Sequence, residues 1–107
     1  MAELEDGSDS MLDITIDREM GGAVVHLTGE LDMSNADGLR HALDPFLTVP
    51  PDYLVFDLEA LAFMDSSGIA VLVEMARVTP VTLRKPSRII SRVIELTGVS
   101  DLMPTEP

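Results

Sequence analysis

Residues 53–58, Tyr-Leu-Val-Phe-Asp-Leu, form an almost unbroken apolar run of strand length. A strand that is apolar on both alternating sides belongs in the interior of a sheet. The run leads through Phe63-Met64-Asp65-Ser66-Ser67-Gly68 into a helical apolar pattern from Ile69 to Ala76. An interior strand handing over to a helix is the repeating unit of α/β architecture. The stretch from Phe63 to Ala70 is therefore the junction around which the other elements must be placed.

Upstream, Leu12, Ile14 and Ile16 alternate with Asp13, Thr15 and Asp17, the period of a half-buried strand. Gly21-Gly22 signals a turn, and Ala23 to Thr28 reads as a second strand, so the two form a hairpin. Gly29-Glu30-Leu31-Asp32 leaves that strand. Ser34 or Asn35 then caps a helix with apolar positions Ala36, Leu39, Leu43, Phe46 and Leu47, stopped by Val49-Pro50-Pro51. Beyond the central helix, about Ser67 to Arg77, Val78-Thr79-Pro80 breaks the pattern. Val81-Thr82-Leu83 is a short fourth strand. Ser87 caps a last helix carrying Ile89, Ile90, Val93, Ile94 and Leu96, which Gly98 ends. The expected fold is α/β: one domain with a mixed four-stranded sheet, element order β-β-α-β-α-β-α, and helices packed mainly on one face. Crossovers after the hairpin are expected to be right-handed. Residues 1–10 read as an acidic tail, 11–102 as the domain and 103–107 as a tail.

If the second and third strands run parallel, their carboxyl ends share one edge, where open α/β sheets place their functional crevices. Asp32 and the Asp65-Ser66 loop meet there. A helix start has unpartnered amides and a partial positive charge, and so favours a negative group, including a phosphate on a serine. Ser66, or Ser67 as the alternative, is thus a candidate switchable hydroxyl. The structural alternative is plain capping, with Asp65 or Ser66 accepting from an amide two or three residues on. Gly68 is expected to admit a close approach by a partner, and Met64 to take part because it directly precedes the loop. Glu30 and Asp32 read either as solvated charge or as recognition groups for a basic residue or hydroxyl near Ser66.

Composition narrows the functions. Of 107 residues, 46% are hydrophobic, which argues against global disorder. A formal net charge of −12 disfavours binding nucleic acid through phosphates and suits partners with basic surfaces. There is no cysteine, which excludes thiolate metal sites. His26 and His41 stand at no metal-ligand spacing, so no metal or cofactor is expected. No Gly-rich phosphate loop or Gly-x-Ser-x-Gly elbow occurs. No apolar run approaches the ~20 residues of a membrane span, and residues 1–10 do not read as a secretory signal, so a cytoplasmic location is expected. Arg84, Lys85, Arg88 and Arg92 gather in one short region and read as a solvated face, with an acidic-partner surface as the alternative.

Four segments taken together resemble the STAS domain, and within it the bacterial anti-sigma factor antagonists. They are Leu27-Thr28-Gly29-Glu30-Leu31-Asp32; Val55-Phe56-Asp57-Leu58 with Phe63 to Ile69; Arg84-Lys85-Pro86-Ser87; and Val93-Ile94-Glu95-Leu96-Thr97-Gly98-Val99. The resemblance spans roughly Met11 to Leu102. It implies a non-enzymatic, partner-switching regulator of transcription. Unphosphorylated, it would bind an anti-sigma factor that is also a serine kinase of the histidine-kinase-like ATPase fold, releasing the sigma factor. The kinase would phosphorylate Ser66, making this a phosphoprotein, and a PP2C-type phosphatase would reverse the step. Asp32 matches the family's partner-contacting aspartate; Asp65 and Gly68 match the loop around the acceptor, and Ser67 is expected among the partner contacts. The segment Glu74 to Pro80 is abbreviated against the family pattern, which implies a central helix about a turn shorter and a displaced or frayed fourth strand. Two rivals stand beside this reading. One is an unphosphorylated STAS accessory subunit of a membrane transport complex. The other is a hydrolase with Ser66 as nucleophile, which needs a base within hydrogen-bond reach.

Overall fold

A computed structural model describes residues 11–107; the expected acidic tail, 1–10, lies outside the described residues. The hairpin forms as its alternation requires. Strand β1 (Leu12–Glu19) pairs antiparallel with β2 (Gly22–Leu31), from Glu19 against Gly22 to Leu12 against Gly29. The apolar run becomes β3 (Tyr53–Asp57), parallel to the first half of β2, and β5 (Val81–Arg84) lies parallel on its other side. All four β5 residues pair with β3, so the fourth expected strand is neither displaced nor frayed. Two short strands were not expected. Strand β4 (Leu61–Met64) pairs with the second half of β2, where β3 has ended, and β6 (Thr105–Glu106) adds to β5. The sheet thus has six strands in the path β1-β2-β3-β5-β6 with β4 beside β2, rather than four.

The expected tail 103–107 is part of the fold. Met103 is fully buried, the amide of Leu83 donates to the Pro104 carbonyl (2.8 Å), and Arg84 pairs with Glu106 (3.1 Å). The single helix expected after Asn35 is two, α1 (Ala36–Ala42) and α2 (Asp44–Thr48), meeting at Leu43. Pro45 explains the break: it has no N–H to donate and restricts Asp44 before it. Helix α3 (Ser66–Ala76) follows β4. Helix α4 (Arg88–Thr97) is capped by Ser87, whose hydroxyl oxygen accepts from the Ile90 amide (3.1 Å), and ends at Gly98 with φ +77°. The main core joins the sheet face of Ala23, Val25, Leu27, Leu54, Phe56, Val81 and Leu83 to Leu39, Phe46, Leu72, Met75, Ile90 and Ile94 from all four helices. On the opposite face Val24 and Val55 are buried, but His26, Asp57 and Arg84 are half-buried and Thr28 is exposed, and the core that all four helices share lies on the first face, as expected.

Candidate functional site

The second half of β2 and the whole of β4 build the site. Residue pairs Glu30–Phe63 and Leu31–Met64 stand in register, after an irregularity between Gly29 and Glu30. The Asp65 amide then donates to the Leu31 carbonyl (3.2 Å). Asp32 and Asp65 therefore leave the sheet side by side, which is the convergence expected from parallel strands. The partner of β2 at this level is β4, however, and not the apolar run of β3. The signal for β4 was the run Leu61-Ala62-Phe63-Met64, too short to separate from a loop by periodicity.

Asp65 occupies the N-cap of α3 with extended backbone. Its Oδ1 accepts from the amides of Ser67 (2.8 Å) and Gly68 (3.4 Å), while its carbonyl accepts from the amides of Gly68 and Ile69. Ser66 is the first helical residue and is exposed; Ser67 is half-buried. The capping reading and the acceptor reading thus fall on different residues: Asp65 caps, Ser66 is presented. Two expectations are corrected. Met64 is 0% exposed and sits in the core cluster, so its side chain supports the loop from beneath and offers nothing to a partner. Gly68 is buried as well. A Cβ there would come within 2.6 Å of Leu31 Cγ and 2.8 Å of Met64 Cγ, so the glycine permits close packing inward rather than approach from outside.

On the β2 side, Asp32 opens a tight turn. Its Oδ1 accepts from the Ser34 hydroxyl (2.6 Å) and the Ser34 amide (2.9 Å). These bonds, the hydroxyl first, hold the Asp32 carboxyl below the usual carboxylate range. Asn35 stands at the N-cap of α1 but makes no side-chain cap. Its amide group is buried and donates to the Glu30 carbonyl (2.9 Å), while its Oδ1 accepts from the Asp32 amide (3.0 Å). Sequence reasoning weighed Asn35 as a cap and missed this clamp, which depends on backbone groups that no side-chain pattern reveals. It also missed two exposed apolar side chains on the rim, Met33 (79% exposed) and Phe63 (41%). Glu30 stands in register with Phe63, and Asp32 directly precedes Met33, so each of these apolar residues has an acidic neighbour.

Neither histidine serves Ser66. His26 lies between Asp17 (3.0 Å) and Asp57 (3.3 Å), and His41 pairs with Asp44 (3.6 Å). A Ser66 nucleophile has no imidazole base from either. No group of metal-ligating side chains occurs among the described residues, and no helix among them is long and apolar enough to cross a membrane. A cavity of about 150 Å³ opens where β3 and β4 part, lined by His26, Thr28, Asp57 and Glu59, away from Ser66.

Comparison with known proteins agrees with this architecture. The model of the STAS domain matches residues 13–107. An anti-sigma-F factor antagonist of Mycobacterium tuberculosis, RsfA, is 29% identical over 103 residues, covering 90% of this chain and 80% of that protein. The anti-sigma F factor antagonist of Paenibacillus polymyxa is 26% identical over 99 residues, covering 87% of this chain and 85% of that one. The crystal structure of an anti-sigma factor antagonist from Mycobacterium paratuberculosis superposes with a TM-score of 0.81 at 28% identity, covering 90% of this chain and 86% of that one. The chain belongs to the STAS domain family.

Proposed function

We propose that this protein is an anti-sigma factor antagonist acting in the cytoplasm as a binding switch, without catalysis of its own. The surface around Asp32 and Ser66 binds an anti-sigma factor that is also a serine kinase of the ATPase fold. Phosphorylation of Ser66 ends that binding, and a PP2C-type phosphatase restores it. The observation that carries the reading is the exposed Ser66 hydroxyl at the first position of a helix already capped by Asp65. The relatives named as anti-sigma-F factor antagonists support it.

Because the Ser67 and Gly68 amides are held by Asp65, a phosphate on Ser66 is not drawn into the helix mouth. It projects from the surface beside Asp65, adding about −1.5 to −2 charges at neutral pH. Docking then meets steric conflict and repulsion from a partner that holds ATP phosphates. A loss of ~3 kcal/mol weakens binding more than a hundredfold, with no refolding required. Recognition in the unmodified state falls to Asp32, whose geometry the Ser34 and Asn35 bonds fix, with Glu30 beside it. The test is incubation with the cognate anti-sigma kinase and ATP, followed by phosphosite mapping. Modification at Ser66, lost in Ser66→Ala, is expected; modification elsewhere, with Ser66 untouched, contradicts the proposal.

A further inference from the structure

Helix α4 buries Ile90 and Ile94 and turns Ile89 (62% exposed) and Leu96 (77%) outward. At about 100° per residue, Ile89 and Leu96 lie within about 20° of each other on one line of the helix. Half-buried Val93 flanks that line on one side. Exposed Arg88, Arg92 and Glu95 flank it on the other, and none of the three forms an ion pair with another described residue. An outward apolar line rimmed by charged side chains has the make-up of an interaction surface.

The stripe complements itself. Take a two-fold axis beside the point between Arg92 and Val93, relating two antiparallel copies of α4. Ile89 of one copy then faces Leu96 of the other, and the two Val93 side chains meet. Such an axis keeps each flank on its own side, so the charged flanks face one another. With a rise of about 1.5 Å per residue, Glu95 of one copy falls about 3 Å along the helix from both Arg88 and Arg92 of the other. Long side chains span that offset. The order along the flank is Arg88, Glu95 of the second copy, Arg92, and the same sequence reversed.

We infer that this chain self-associates as a two-fold dimer through antiparallel contact of α4, with Ile89 seated on Leu96 and Glu95 held between Arg88 and Arg92 of the second copy. The inference does not depend on the role of Ser66. One face of a ten-residue helix falls short of the ~1,200 Å² that stable interfaces bury, so the dimer is weak and concentration-dependent.

Sedimentation equilibrium of the full chain, from about 10 µM to about 1 mM, tests it. The mass is expected to rise from 11.6 kDa toward twice that value. Ile89→Glu and Leu96→Glu are expected to stay monomeric with unchanged circular dichroism, since both side chains are exposed. Glu95→Arg, which gathers six cations along the flank, is expected to raise the dissociation constant at least ~tenfold. A wild type that stays monomeric throughout overturns the inference and leaves the stripe to a different partner. A dimer that survives Ile89→Glu and Leu96→Glu overturns it equally, because the contact then lies elsewhere.

Discussion

Ser66 owes its presentation to its neighbours. Asp65 takes the cap, which frees the serine hydroxyl from that task, while Met64 and Gly68 anchor the loop in the core on either side. Gly68→Ala is therefore expected to destabilise the protein by about 1–3 kcal/mol in urea titration, since the new methyl must displace buried Leu31 and Met64. An unchanged midpoint would show that these side chains yield freely. The sequence Asp-Ser-Ser-Gly makes both a cap and a helix-start hydroxyl legible, because capping chemistry is local. The directions of Met64 and Gly68 were not legible. They follow from β4 pairing with β2, a contact between residues some thirty positions apart.

The elements around Ser66 are fastened by charge as well as packing. Arg40 on α1 reaches Glu74 on α3 through Nε and Nη2, both at 2.9 Å, and also pairs with Asp37. The hydrogen bonds from Arg40 hold the Glu74 carboxyl below its ordinary range, and Glu74 in turn raises the Arg40 guanidinium. A carboxyl lowered on folding contributes stability above its unfolded pKa and loses that contribution as pH falls through the folded one. Wild type is thus expected to exceed Glu74→Gln in stability at neutral pH, modestly for a surface pair, and to converge with it on acidification. Urea titrations of both proteins across pH check this, and a difference that grows toward acid contradicts it. At this scale the period of the strands and helices predicted most elements. Pro45 lies inside an otherwise regular apolar pattern, and reading through it merged α1 with α2.

For the whole molecule, a chain at −12 folds around one sheet whose last strand comes from its final residues. Met103, two residues before that strand, is fully buried in the core, and Met103→Ala is expected to destabilise by about 2–5 kcal/mol, measured by thermal or urea unfolding. A negligible change would return residues 103–107 to the role of a tail. Their part was illegible in sequence because a two-residue strand beside prolines carries no periodicity; only pairing with β5 gives it order. The parallel β2–β3 pair was legible because strand-helix alternation leaves few topologies, and with it the sheet edge where Asp32 and the Ser66 loop meet; the β2–β4 pairing that joins them there was not. What that meeting does is the central claim, and titration calorimetry of the cognate anti-sigma factor with unmodified protein and with protein phosphorylated at Ser66 tests it most directly. The account predicts tight binding by the first and affinity at least ~100-fold lower for the second, a difference of about 3 kcal/mol. Equal affinities for the two forms would contradict it.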